Sequence, residues 1–143
     1  MIEMWNKRYA QSDFVYGKEP NQFFKEQIAL LDPGKALFPA EGEGRNAVFA
    51  SKMGWQAIAF DNSIEAKKKA KRLAEENQAE IDYFICSIKD SDFEEESFDL
   101  IVLIYVHTAN RRIDHQKLIK YLKPGGKLVL EGFSKKQIHN STG

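Results

Sequence analysis

The sequence predicts an α/β fold built on a mostly parallel sheet, and three features of the chain point to it. Apolar runs of strand length alternate with helix-patterned stretches. The runs are continuously hydrophobic, as in strands covered on both faces, and do not alternate as half-exposed strands do. A glycine-rich loop, Ala40-Glu41-Gly42-Glu43-Gly44-Arg45-Asn46, follows the first run and opens a helix.

Taken in order, residues 3–10 and 21–31 read as two helices divided by Gly17 and Pro20, and Pro33-Gly34 turns the chain into a first strand at 36–40. A helix at 46–52 leads to a second strand at 57–61. Ser63 stands where it can N-cap the next helix, 64–77, with Glu65 at the positive end of the helix dipole. Residues 83–87 and 100–106 supply the third and fourth strands. A helix at 112–121 is expected to stop at Lys123-Pro124-Gly125-Gly126, because proline cannot continue it and the glycines permit a tight turn. The fifth strand is then 127–133, and 134–143 is a polar tail with no further strand pattern. No internal repeat or low-complexity linker interrupts this order.

With 143 residues the chain has room for one domain, and 43% of them are hydrophobic. A domain of this size buries ~70% of its unfolded surface. Lys+Arg and Asp+Glu both total 21, so there is no excess positive charge for general polyanion binding, and no nucleic-acid partner is expected. The run Lys67-Lys68-Lys69 with Lys71 and Arg72 reads as a solvated helix face, offset by Glu75 and Glu76. Cys86, the single cysteine, cannot form an internal disulfide, which favours a reducing compartment; within a strand it reads as packing. The first residues carry an acid and no apolar signal region, and the apolar run at 100–106 is far short of the ~20 residues that span a bilayer. A cytoplasmic protein without a membrane partner is expected. No His/Cys/Asp cluster has metal-ligand spacing, so no metal is predicted.

The chemistry concentrates in the glycine loop. Gly42 and Gly44 lack a Cβ, so the backbone can turn sharply and a ligand can approach closely. The helix that starts there directs unpaired N–H groups towards the carboxyl end of the strand, where open α/β sheets bind ligands. Asp61 ends the second strand, 19 positions after Gly42 (61 minus 42). An acid at that spacing can accept hydrogen bonds from both hydroxyls of an adenosyl ribose. It can also serve as a helix cap beside Asn62 and Ser63, and the two roles are compatible.

The order of these elements, Glu41-Gly42-Glu43-Gly44-Arg45-Asn46, then Asp61, then Leu122-Lys123-Pro124-Gly125-Gly126-Lys127-Leu128, resembles class I S-adenosylmethionine-dependent methyltransferases. The opening Trp5-Asn6-Lys7-Arg8-Tyr9 and Val15-Tyr16-Gly17-Lys18-Glu19-Pro20-Asn21 is similar to the branch of tellurite-resistance and thiopurine methyltransferase-like proteins. The resemblance runs over almost the whole chain and rests on the joint order of its motifs. It implies a Rossmann-like three-layer αβα sandwich with strand order 3-2-1-4-5 as one domain over 1–143. That domain divides into an N-terminal helical segment (1–34), a core (35–133) and the tail (134–143), and it lacks the last two strands of the family fold. An open sheet edge near 127–133 would follow, and with it a homodimer built there.

The resemblance also implies S-adenosylmethionine as cofactor. The backbone of Ala40, Glu41, Gly42 and Gly44 would face its methionine part, Asn46 would also belong to the cofactor site, and Asp61, with Asn62 and Ser63 beside it, would hold the ribose. Ser87 and Ile88 would lie by the adenine, and Ile104 and Tyr105 would approach the sulfonium. Tyr9 and Tyr16 either close over the cationic cofactor or pack within their helices. Three positions depart from the family: Ala40 where glycine is frequent, and Phe38 and Ser87 where acids are common, with Glu41 the candidate substitute for the first missing acid. His107, after the fourth strand, is the acid–base candidate, since imidazole titrates near neutrality; a structural loop histidine is the other reading. The expected activity is methyl transfer to a small-molecule acceptor. The rivals are a cofactor-binding or dimerising module without catalysis, and a nicotinamide-dependent oxidoreductase, whose loop would carry its third glycine at Ala47.

Overall fold

The computed structural model describes Phe14, residues 17–108, residues 110–132 and the backbone of 136–140. The helix expected at 3–10, with Tyr9 and Tyr16, lies outside the described residues. Among the described residues ten elements follow one another: α1 (Gln22–Ile28), β1 (Lys35–Pro39), α2 (Arg45–Lys52), β2 (Gln56–Asp61), α3 (Ile64–Glu76), β3 (Ile81–Ile85), β4 (Phe98–Ile104), α4 (Arg111–Ile119), β5 (Leu122–Glu131) and β6 (Lys136–Asn140). They form one sheet in the order β3-β2-β1-β4-β5-β6. The first five strands are parallel in the expected order 3-2-1-4-5, and β6 runs antiparallel to β5.

Strands β1, β2 and β4 are largely buried on both faces, their successive side chains pointing to opposite sides, while β3 is more exposed. Ala36, Phe38, Ala57, Ala59, Leu100, Val102 and Val129 face a core closed by α1, α2 and α3. Leu37, Ile58, Phe60, Ile101, Leu103 and Leu128 face the other side, where Leu118 of α4 packs with Tyr121, Ile88 and Phe93. The first core is rich in alanine, with Ala47, Ala50, Ala70 and Ala74 on the helices. Small side chains on both partners let α2 and α3 approach the strands closely. Phe24 of α1 meets Phe38 of β1 edge-to-face at 5.7 Å, which docks this helix onto the sheet. Ser63 caps α3 as expected, its side chain accepting the Ala66 N–H at 3.1 Å.

Three expectations are corrected. The fourth helix ends at Ile119, before the proline, and Leu122 already belongs to β5. Phe98 pairs with Leu122 but Leu100 with Lys127, so Lys123-Pro124-Gly125-Gly126 is a bulge within the strand and not a helix-to-strand turn. Gly125 sits at φ 81°, and a Cβ on Gly126 would lie 2.9 Å from the Lys123 carbonyl oxygen, so this chemistry serves the bulge. The third strand ends at Ile85, which leaves Cys86, Ser87 and Ile88 beyond it.

The largest correction is at the tail. Residues 136–140, read as polar and without strand pattern, pair with β5 from Lys127↔Asn140 to Glu131↔Lys136. The ladder uses backbone N–H and C=O groups, which a polar segment carries as fully as an apolar one. A strand therefore does follow the fifth, and the edge expected to stay open at 127–133 for a homodimer is covered within the chain over 127–131. Among the described residues no helix is long and apolar enough to cross a membrane.

Candidate functional site

The carboxyl ends of β1, β2 and β4 lie side by side in the middle of the sheet, because β1 pairs with β2 on one side and β4 on the other. The loop from β1 to α2 turns there through three residues in the left-handed region: Ala40 (φ 49°), Gly42 (φ 68°) and Gly44 (φ 87°). Gly44 is required twice over, by that angle and because a Cβ would sit 2.6 Å from the Cβ of Ala70 on α3. The loop is held from several sides. Tyr83 of β3 donates its hydroxyl to the Gly42 carbonyl. The Glu41 N–H donates to the Phe60 carbonyl at 3.1 Å.

Asp61 ties the end of β2 to this loop. One carboxylate oxygen accepts the Gly42 N–H at 3.0 Å, and the other accepts the Ser63 N–H at 3.1 Å. The side chain thus supports the turn into α3 and faces the glycine loop. Each carboxylate oxygen can accept a second hydrogen bond, so these contacts orient the group without exhausting it. Partial burial pushes its carboxyl above the usual range, and the N–H groups of Ser63 and Gly42 oppose that shift.

Two further acids sit in the loop. The carboxyl of Glu41 is turned inward and accepts the Ala47 N–H at 2.6 Å. Burial pushes it up to about 8, against the Ala47 hydrogen bond and the Arg45 charge, which favour the ionised form. Glu43 is buried and pairs with Lys69 of α3 at 3.0 Å. The reading of Lys69 as part of a solvated face is therefore corrected: only 6% of it is exposed. The signal was present in the helical period, since Ala66, Lys69, Ala70 and Leu73 share one stripe. Tyr83 was missed because nothing local marks a hydroxyl that reaches a loop 41 positions earlier.

The remaining expected residues spread around this centre. Asn46 is buried, its side-chain oxygen accepting the Asn21 N–H at 2.8 Å. Asn62 is exposed, while Ser63 is buried at its capping position. Ser87 is half-buried and accepts the Asp90 N–H at 3.0 Å; Ile88 packs into the second core. The half-buried Cys86 thiol is pushed up by burial and the nearby Asp90, in keeping with a packing role. Ile104 ends β4, Tyr105 follows it at φ 52° with its ring partly exposed, and His107 is exposed two residues on. Phe38, at the position where related proteins commonly carry an acid, is fully buried. The structure thus gathers Ala40, Gly42, Gly44 and Asp61 into one cradle, with Tyr105 and His107 beyond the neighbouring strand.

A core of five parallel strands in the order 3-2-1-4-5, with a glycine loop and a loop-facing acid at its carboxyl edge, is a Rossmann-like arrangement. Residues 39–126 match the family described as methyltransferase domain, and the chain belongs to that family, of the class I S-adenosylmethionine-dependent type. The chain is 25% identical over 136 residues to the tRNA (uracil(54)-C(5))-methyltransferase of Pyrococcus furiosus, covering 85% of this chain and 32% of that protein. In structure it is similar to TehB from Haemophilus influenzae (TM-score 0.68, 16% identity, 90% of this chain and 44% of the other). It is also similar to a putative methyltransferase from Bacillus halodurans (TM-score 0.69, 26% identity, 76% and 49%). The chain spans about a third of the length of the curated relative and about half of these solved structures.

Proposed function

We propose that the chain binds S-adenosylmethionine at the carboxyl ends of β1, β2 and β4 and transfers its methyl group to a small-molecule acceptor. The observation that carries this reading is the bond between Asp61 and Gly42. It sets an oriented carboxylate, with acceptor capacity remaining, beside a loop that turns through Ala40, Gly42 and Gly44. In this reading Asp61 takes the ribose hydroxyls, and the backbone of Ala40–Gly44 faces the methionine part. Asn62, Ser87 and Ile88 border the adenosyl end, and Ile104 and Tyr105 border the reacting end. The cofactor supplies an activated methyl group on a sulfonium. The chain's own task is then to place an acceptor in line and exclude water, which accounts for much of the rate in such a step.

His107 is the residue proposed to hold or remove an acceptor proton, being exposed at the rim just past β4. A small acceptor is favoured over a polyanion by the balance of 21 basic and 21 acidic residues. Calorimetry with S-adenosylhomocysteine tests the cofactor, and methyl transfer to thiol, amine and carboxylate acceptors, with a tRNA arm, tests the acceptor. Binding of NAD in preference to S-adenosylhomocysteine would overturn the reading. Transfer to tRNA alone would overturn its small-molecule part, and binding without transfer to any acceptor would favour a non-catalytic binding module.

A further inference from the structure

A set of contacts at the same end of the sheet joins two residues that the cofactor reading does not use, Asn21 and Glu131, to two that it does, Asn46 and Tyr105. Asn21 immediately precedes α1, and three of its groups bond to three different elements. Its Oδ1 accepts the Phe24 N–H at 2.9 Å, which caps the helix. Its Nδ2 donates to Glu131 Oε1 at 2.6 Å. Its backbone N–H donates to Asn46 Oδ1 at 2.8 Å. An ordinary N-cap needs only the first of these bonds.

The other two reach both walls of the candidate site. Asn46 lies in the first turn of α2, directly behind Gly44 and Arg45. Glu131 is the last residue of β5, only 3% exposed, and its backbone carbonyl accepts the Tyr105 N–H at 2.7 Å. A buried carboxylate is costly unless it is hydrogen-bonded, and here one hydrogen bond comes from a residue 110 positions away. The glycine-loop helix and the residue following β4 are therefore spaced by a chain of contacts: Asn46 to Asn21, Asn21 to Glu131, Glu131 to Tyr105.

We propose that Asn21 and Glu131 are a positioning pair that sets the spacing between the glycine loop and the β4 end, so that cofactor affinity depends on their hydrogen bond. The pair rests on the methyl-transfer reading only for the ligand used to probe it. Asn21→Asp keeps an oxygen for the Phe24 cap but sets a carboxylate against Glu131. Asn21→Asp combined with Glu131→Gln reverses the direction of the bond, with the glutamine amide now donating.

Calorimetry with S-adenosylhomocysteine on the full chain is expected to show affinity at least tenfold lower for Asn21→Asp, about 1.4 kcal/mol, and near wild type for the double variant. A drop in thermal midpoint for Asn21→Asp with unchanged affinity would reduce Asn21 to a helix cap. A double variant no better than Asn21→Asp would also overturn the pair. If the wild-type chain does not bind S-adenosylhomocysteine, the methyl-transfer reading fails by itself, and amide exchange then reads the pair directly. Faster exchange in Asn21→Asp at both Tyr105 and residues 45–48, restored in the double variant, supports it; acceleration confined to α1 overturns it.

Discussion

The Glu43 carboxylate and the Lys69 ammonium meet at 3.0 Å with only 3% and 7% of their side chains exposed, joining the glycine loop to the middle of α3. Two charges removed from water hold together only while both are present. Lys69→Met is expected to destabilise the fold by about 3–5 kcal/mol, because it removes the Lys69 charge that is set against the buried Glu43 carboxylate. Adding Glu43→Gln should recover a large part of that loss. Urea denaturation of the two variants checks this, and equal loss in both would show that the charge pairing contributes little.

Asp61 carries the cofactor proposal and is its most direct target. Asp61→Ala removes the acceptors of the Gly42 and Ser63 N–H groups as well as those proposed for the ribose hydroxyls. Hydrogen bonds to a charged group contribute ~1.5–3 kcal/mol each. Affinity for S-adenosylhomocysteine should therefore fall at least about tenfold in protein that remains folded. Calorimetry beside a circular-dichroism melt separates loss of binding from loss of fold, and unchanged affinity would remove Asp61 from the site.

Glu41 makes a prediction about pH. Its carboxyl is raised from 4.5 to about 8 in the folded chain, so the folded state keeps a proton that the unfolded state has released. The resulting stabilisation is fully present below 4.5 and is lost as pH rises through about 8. The slope from one such group is at most about 1.4 kcal/mol per pH unit. Asp61, also raised, acts with the same sign at the acid end. Thermal midpoints should decline from weakly acidic to weakly alkaline buffer, and Glu41→Gln should flatten the decline. Identical profiles for both proteins would mean that Glu41 ionises normally.

The β5–β6 pairing predicts the result of trimming the chain. Deleting residues 136–143 uncovers the backbone of Lys127 to Glu131, including the apolar Leu128, Val129 and Leu130. An open edge of that composition invites pairing with another chain. Sedimentation velocity at micromolar concentration should show the trimmed protein self-associating more than the full chain, and equal behaviour would mean that β6 does not protect the edge.

The amino-acid sequence by itself determined the order of strands and helices from α1 to β5, the position of the glycine loop and the Ser63 cap. These depend on hydrophobic period, on backbone angles that glycine permits, and on side chains bonding within three residues, all of which are local. The spacing of Gly42 and Asp61 was legible for a related reason: one βαβ unit with parallel strands brings the ends of β1 and β2 together. Tertiary structure decided what local pattern does not carry. Lys69 reads as one lysine of a solvated run until Glu43 of the loop is set against it, 26 positions away. Residues 136–140 are polar, yet they form a strand because β5 offers an edge and the ladder is made of backbone. The Pro124-Gly125-Gly126 turn became a bulge because Leu122 found Phe98 as a partner before the turn. Asn21 and Glu131 meet only because the sheet order carries the end of β5 to the helix that opens the described fold, a contact no periodicity records.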